Sequence, residues 1–406
     1  MDRKFTRIHI TEKGEKAARR GHPWVFADEI TDISGNFENG DLVDVYSGKD
    51  RYIGTGFINS NSKIRVRIIS RNTNDKFDVD FYRRRIRYAF EYRKTVMGDD
   101  FSSCRLIFGE ADCFPGLTVD KFEDVLVLQI LSLGVERIKD MIIPLMIETL
   151  SEMGEKINVV YERNDVKIRE LEGMKEYKGY YLADGLAHGG DGLVTISENG
   201  IKYTVDYVNG QKTGFFLDQK YNRLAIRKIA KGRKVLDCFT HTGAFALNAA
   251  AAGAGHVTAV DVSEEALSRA RANAEMNGLT NVSFECCDVF DLLTSLENGK
   301  KHDYDFIILD PPAFTKSSQT VNSAYRGYKD INMRAMRLLP RGGYLATCSC
   351  SHFMGRDNFI RMLNDAALDA GVSLRQIEER QQSPDHPILY GVHETDYLKF
   401  FIFQVV

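Results

Sequence analysis

From Lys234 onward, five apolar runs alternate with helical segments: KVLDCF, HVTAVDV, VSFECCDV, YDFIILD and GYLATCSC. Runs of this kind are what strands look like when both faces of a parallel sheet are covered by helices. The pattern predicts a doubly wound α/β sheet, extended by the strand LKFFIFQVV near the end of the sequence. Sheets of this class bind ligands beyond the carboxyl ends of their strands. The residues that close each run therefore carry the functional argument.

Three successive runs close on carboxylates: Asp237 in VLDCFTHTGAF, Asp261 in VTAVDVS and Asp288 in CCDVF. Thr240 and Gly243 lie in the first loop, where a glycine permits close backbone approach. A carboxylate at the second strand end can accept both hydroxyl hydrogens of a ribose, and one after the third can accept from an adenine amino group. A dinucleotide site requires GxGxxG, so that backbone amides receive a pyrophosphate. This loop has one glycine and opens on Asp237, which repels phosphate and suits the cationic sulfonium of S-adenosylmethionine. Any one aspartate is equally well explained as a helix N-cap; three in register with Gly243 are not.

The fourth run ends in FIILDPPAFTKS. Asp310, Pro311 and Pro312 form a rigid turn at the open edge of the sheet, and Phe314 offers a stacking face for a planar base. The fifth run ends in ATCSCSHF. Carbon 5 of a pyrimidine is a poor nucleophile, and a thiolate added at carbon 6 turns it into an enamine. Cys348 and Cys350 share a side of a regular strand, and Cys350, nearer its end, is the one expected to reach a substrate. Asp310 would then hold ring nitrogen 3 of a cytosine and share a proton with it. A small apolar residue finishing a buried strand is the alternative role for either thiol. Cys238, Cys286 and Cys287 are expected to pack. His352 and Lys316 are near enough in sequence to serve as the base, although a surface role suits each better.

The 406 residues are enough for two or three domains. Seven cysteines without a CxxC pair or zinc-ligand spacing exclude a disulfide framework and predict no metal. No run of 18 apolar residues and no secretory leader is evident, so the expectation is a cytoplasmic protein with no membrane partner. Charge is uneven. Residues 1–94 hold 20 Lys+Arg against 14 Asp+Glu, and the remainder holds 34 against 43. A basic N-terminal part points to a polyanionic partner. There, ITDIS, GDLVDVYS, YIGTGFIN and KIRVRIIS read as short strands of a small β-barrel, the last with Lys63, Arg65 and Arg67 on a basic face. Asp80–Met97 turns helical, with Tyr82, Ile86, Ala89, Phe90 and Val96 on one face and Arg83, Arg84, Arg85 and Arg87 crowding its start. Those arginines are candidates for RNA backbone contact or for a solvated face. Strands, the helix VERIKDMIIPLMIETLSEMG and a hairpin turning at Asn199-Gly200 fill residues 100–205.

The segments VLDCFTHTGAFALNAAAAGAGHVTAVDVS, RANAEMNGL, DFIILDPPAFTKS and CSCSHF resemble the large-subunit ribosomal RNA cytosine-5 methyltransferases that carry an N-terminal PUA domain. GHPWVFADEI and YIGTGFINSNSKIRVRIIS are similar to that family's PUA segment, and TGFFLDQKYNR to its entry into the catalytic domain. The resemblance covers most of the chain and is least specific over residues 100–200. It implies a PUA-type barrel (1–73), a central α+β domain (74–205) and a Rossmann-like methyltransferase domain (206–406). It also implies S-adenosylmethionine as cofactor, 23S ribosomal RNA as partner, Cys350 as nucleophile and Gln219 as a cofactor contact; Arg223 is a candidate for a structural ion pair. A homodimer is left open. Two other readings stay in play: methylation of a base amino group with Cys350 a bystander, and a non-catalytic RNA-binding assembly factor.

Overall fold

The computed structural model describes residues 4–315 and 317–406, and of Ser318 the backbone only. Residues 1–3 and Lys316, one of the two candidate bases, lie outside the described residues. The chain divides into two compact units. The first runs to Ile196 and takes in Val205–Leu217 and Pro384–Thr395; the second comprises Ser197–Thr204, Asp218–Ser383 and Asp396–Val406.

In the first unit, six strands form one sheet: β1 (Thr6–Ile10), β2 (Trp24–Phe26), β3 (Ile30–Ser34), β4 (Leu42–Ser47), β5 (Tyr52–Ile58) and β6 (Ile64–Ser70). Their order is β2-β6-β5-β4-β1-β3. The outermost strands, β2 and β3, are joined by only Ala27–Glu29. Three residues span about 10 Å, whereas five strand spacings in a flat sheet span about 24 Å. The sheet therefore rolls into a barrel around Ile8, Ile10, Val25, Val43, Val45, Ile58, Val66 and Ile68. β1, β2 and the helix α1 (Glu12–Arg19) escaped the sequence reading. β2 is three residues long, and α1, with sequence EKGEKAAR, carries too few apolar residues to show a helical stripe.

The basic face expected on β6 is largely engaged within the unit. Arg67 bonds Glu172 at 2.8 Å and lies over the Trp24 ring, and Arg65 donates to the Asn59 carbonyl at 3.2 Å. The helix α2 (Val79–Met97) begins at Asp78, whose carboxylate caps Phe81 N–H. Its buried face holds Tyr82, Ile86, Ala89 and Phe90 as expected, but continues through Phe81, Arg93 and Met97 while Val96 is only half-buried. Burial of Arg93 is made tolerable by a two-pronged pair with Asp112. A second sheet, order β11-β10-β9-β8-β7, comprises β7 (Ser103–Phe108), β8 (Leu117–Phe122), β9 (Val125–Ile130), β10 (Val159–Asn164) and β11 (Tyr177–Tyr180), with α3 (Leu133–Glu152) between β9 and β10. The hairpin of β12 (Leu193–Glu198) and β13 (Ile201–Asp206) turns at Asn199 and Gly200, both at positive φ, as an Asn-Gly turn requires.

The second unit opens with the short helices α4 (Lys220–Ala225) and α5 (Arg227–Ala230). Then follow β14 (Lys234–Cys238), α6 (Ala244–Ala251), β15 (His256–Asp261), α7 (Glu264–Met276), β16 (Val282–Cys286), α8 (Val289–Asn298), β17 (Phe306–Leu309), α9 (Val321–Leu338), β18 (Tyr344–Ser349), α10 (Arg356–Ala370), β19 (Leu374–Arg380) and β20 (Lys399–Val405). Strand order is β16-β15-β14-β17-β18-β20-β19. The first five strands run parallel; β20 enters antiparallel between β18 and β19. Leu236, Ile307, Leu309, Leu345 and Phe401 pack one face of the sheet. Val235, Val257, Phe306, Ile308, Ala346 and Phe400 pack the other. Burial on both sides explains why these strands read as continuous apolar runs rather than alternating ones. β19 was missed because LRQIEER is a polar, half-exposed edge strand.

Candidate active site

The order of strands reverses between β15 and β17, so β14 and β17 diverge in their connections and leave a crevice at their carboxyl ends. Asp237 closes β14 there and is fully buried. Its Oδ2 accepts from Thr240 Oγ1 at 2.6 Å and from Ala246 N–H at 2.9 Å, while Oδ1 is buried with no hydrogen-bond partner. Burial pushes the Asp237 carboxyl up to about 7, with the charges of Asp310 and Asp261 adding to the effect. The loop that follows places Phe239, His241 and Gly243 at positive φ. Two non-glycine residues in the left-handed region within five positions mark a strained, tightly turned loop. At Gly243 a β-carbon would meet the Ala270 side chain at 3.0 Å, so the close approach that needs glycine is to α7.

Asp261, at the end of β15, receives His241 N–H on Oδ2 and Ser263 N–H on Oδ1, both at 2.9 Å. Each oxygen keeps a second lone pair. Asp288 is exposed and caps α8, its Oδ1 accepting from Phe290 N–H at 2.7 Å and Asp291 N–H at 3.2 Å. The N-cap role foreseen for a lone strand-end aspartate is thus the one Asp288 fills; Oδ2 carries no further recorded bond.

At the neighbouring strand ends, Asp310 follows β17 with part of its surface open to solvent. Its Oδ1 accepts from Gln219 Nε2 at 3.1 Å and from the Cys348 thiol at 2.9 Å. Burial raises its carboxyl to about 6, opposed by the Cys348 hydrogen bond. The thiol that meets Asp310 is therefore Cys348, buried on β18, whose own ionisation burial pushes well up. Cys350 lies one residue past β18, half-buried, with Sγ 3.9 Å from the Pro311 carbonyl. Gln219 is buried and spoken for within the unit: besides Asp310 it reaches Cys348 Sγ at 3.4 Å, and its oxygen accepts from Asn222 Nδ2 at 2.6 Å. Pro311 is buried and Pro312 exposed. Phe314 packs its ring 4.5 Å from Tyr328 and 5.9 Å from Phe290.

Among the other cysteines, Cys238 is buried in the core and Cys287 packs against it. Cys286 departs from the expected packing role and is exposed, because β16 is the edge strand. His352 is half-buried with its ring against Phe353. Arg223 and Glu198, both buried, form a two-pronged pair at 2.6 and 2.7 Å. In the first unit, Arg83 pairs with Glu148 and Asp80, Arg84 with Asp75 and Arg87 with Glu152. Sequence reasoning missed Lys399 and Tyr328, polar residues buried inside otherwise apolar segments. Among the described residues, no cluster of three metal-ligating side chains occurs, and no helix is long and apolar enough to cross a membrane.

A sheet that reverses at β14, with acidic loops rather than glycine-rich ones at its open end, defines a nucleoside-binding α/β transferase. The sequence model of the S-adenosylmethionine-dependent methyltransferase matches residues 104–404, and that of a PUA-like domain matches residues 8–71. The chain belongs to the S-adenosylmethionine-dependent methyltransferase family. It is 40% identical over 405 residues to ribosomal RNA large subunit methyltransferase I of Aliivibrio fischeri strain MJ11, covering 98% of this chain and 99% of that one. The protein of the same name from Aeromonas salmonicida is 41% identical over 398 residues, 97% of each. A putative methyltransferase from Streptococcus mutans superposes with a TM-score of 0.81 at 23% identity, over 98% of this chain and all of that one. A putative methyltransferase solved in complex with SAH superposes at 0.83 and 22%, with the same coverage. The protein is an S-adenosylmethionine-dependent methyltransferase, and the buried, partnerless Asp237 Oδ1 in an acidic crevice suits that cationic cofactor.

Proposed function

We propose that the enzyme methylates carbon 5 of a cytosine in 23S ribosomal RNA, with Cys350 as nucleophile and Asp310 as the group on ring nitrogen 3. The observation that carries the reading is the division of labour at the end of β18. Cys350 is half-buried beside Pro311, while Cys348 is buried against Asp310. The names of the relatives, similar over their whole length, and the PUA-like domain support ribosomal RNA as the carrier of the base.

In this mechanism the Cys350 thiolate adds to carbon 6 and forms a carbon–sulfur bond. The ring electrons move toward nitrogen 3, which takes a proton from Asp310; a carboxyl raised to about 6 is suited to share one. S-adenosylmethionine, when bound, supplies the electrophilic methyl group that carbon 5 takes up. A base then removes the carbon-5 proton, the double bond re-forms, the thiolate leaves and nitrogen 3 returns its proton. Asp237, Thr240, Gly243, Asp261, Asp288, Asp310 and Gln219 are the residues assigned to hold the cofactor, Gln219 being bonded to Asp310. Pro311, Pro312 and Phe314 flank the base. Arg83 and Arg84 are assigned to the RNA backbone: both guanidiniums reach solvent, and their pairs with Glu148 and Asp75 are weak enough for phosphates to replace.

RNA carrying 5-fluorocytosine tests the mechanism, because fluorine does not leave as a proton does. The expected result is a denaturation-stable protein–RNA adduct whose cross-linked peptide contains Cys350. Methyl transfer without an adduct, with the methyl on nitrogen, would instead support an exocyclic amine as the target. Mapping methylated positions in ribosomal RNA with and without the gene identifies the nucleotide.

The Asp237 assignment has its own pH signature. A carboxyl near 7 must lose its proton to attract the sulfonium, so cofactor binding weakens as pH falls through 7. Calorimetry at pH 8 and pH 6 should show affinity about tenfold lower at pH 6. Equal affinity at the two values would remove the Asp237 charge from cofactor recognition.

A further inference from the structure

Lys399 opens β20 in register with Ser349, the last residue of β18, and its side chain reaches past that strand's end to the backbone next to Cys350. Only 6% of its surface is exposed. The ammonium donates to the Ser351 carbonyl at 2.6 Å and to the Tyr397 carbonyl at 2.8 Å, which leaves its third N–H to spare. Among the described residues no carboxylate forms an ion pair with it. Burying an ammonium without a counter-ion is costly, and an anion beside it would offset that cost. Ser351 is the immediate neighbour of Cys350, so the backbone that holds the lysine is the backbone that presents the thiol.

We infer that Lys399 is a positioning residue whose buried ammonium stabilises the thiolate of Cys350, the anion missing from its surroundings. The inference rests on the reading of Cys350 as nucleophile. The thiol proton leaves to solvent, and the resulting charge is stabilised by a cation fixed on two carbonyls, one of them that of the residue after Cys350. Other titratable groups around the pair are Cys348 on β18, Asp396 just before β20 and Tyr328 on α9. Cys348 and Tyr328 are held neutral by burial, which pushes both up. Burial lowers Lys399 to about 8, and the group that most counters this is Cys350 rather than Asp396. A lysine in this state is still mostly charged at pH 7.

Labelling of Cys350 by iodoacetamide, followed by peptide mass spectrometry on the full chain, tests the inference without relying on turnover. Lys399→Gln keeps donors for both carbonyls but removes the charge; Lys399→Arg keeps the charge. At pH 7 the glutamine variant should label Cys350 about tenfold more slowly than the natural chain, the equivalent of one pH unit. The arginine variant should stay within about threefold of the natural rate. The exposed Cys286 serves as internal reference and should label alike in all three. Equal Cys350 rates in the glutamine variant and the natural chain from pH 6 to 9, with cofactor binding intact, would overturn the inference. If the glutamine variant fails to bind cofactor, the pH profile of the natural chain decides: a Cys350 labelling midpoint at least one pH unit below that of Cys286 upholds the inference, and a midpoint at or above that of Cys286 would overturn it. Failure of Cys350 as nucleophile is distinguishable, since it abolishes the 5-fluorocytosine adduct in the natural chain whatever the labelling rates.

Discussion

Replacing Cys350 by alanine should slow methyl transfer by about 10⁴-fold or more while leaving S-adenosylmethionine affinity unchanged. That factor corresponds to about 5.5 kcal/mol of transition-state stabilisation, and no neighbouring group is placed to restore it. Cys348 is buried, bonded to Asp310 and to the Leu309 carbonyl at 3.3 Å, and held in the thiol form by burial. Cys238 is buried in the core. Cofactor affinity should survive because Cys350 lies past β18, whereas the carboxylates assigned to the cofactor close β14, β15, β16 and β17. Transfer of labelled methyl groups to RNA, paired with calorimetric titration of the cofactor, measures both halves. Activity within tenfold of the natural enzyme would remove Cys350 from the chemistry.

Glu198→Ala should be the most damaging single change to the stability of the second unit. It takes the two-pronged carboxylate from the buried Arg223 guanidinium. Breaking a buried pair from one side costs about 3–5 kcal/mol, and at about 2–4 °C per kcal/mol for a unit of this size Tm falls by on the order of 10 °C. The double change Glu198→Leu with Arg223→Met should recover much of that loss, because desolvating two charges offsets most of what their attraction returns. Thermal unfolding of the natural chain, Glu198→Ala and the double variant checks this. Equal Tm for the natural chain and Glu198→Ala would mean that the arginine finds water or another acceptor.

The sheet of the second unit was legible because burial on both faces makes β14, β15, β17 and β18 predominantly apolar. The strand-end carboxylates were legible too, although one of them, Asp288, caps α8. What the sequence hid was partnership. Asp310 and Cys348 are 38 positions apart and Gln219 lies 91 before Asp310, so no local spacing announces that all three meet. The choice of Cys350 over Cys348 was open to reading because the strand ends between them, but their different surroundings were not. Arg67 misled in the opposite direction. It reads as a solvent-facing cation, yet it is drawn inward by Glu172, 105 positions away. β19 and β2 were lost because an edge strand and a three-residue strand carry too little hydrophobic signal.

The first unit borrows its finishing pieces from late in the chain. Asp385 accepts from the Arg105 amide at 2.8 Å, and its carbonyl receives the buried Arg93 at 3.0 Å. The Pro384 carbonyl takes the Tyr92 hydroxyl at 3.0 Å. During vectorial synthesis the barrel can close as soon as residue 70 has emerged, but Arg93 lacks one of its acceptors for almost three hundred residues more. At about 5–20 residues per second that delay is roughly 15–60 s. The nascent N-terminal part therefore waits with a polar seam unsealed, a window in which a chaperone has something to hold.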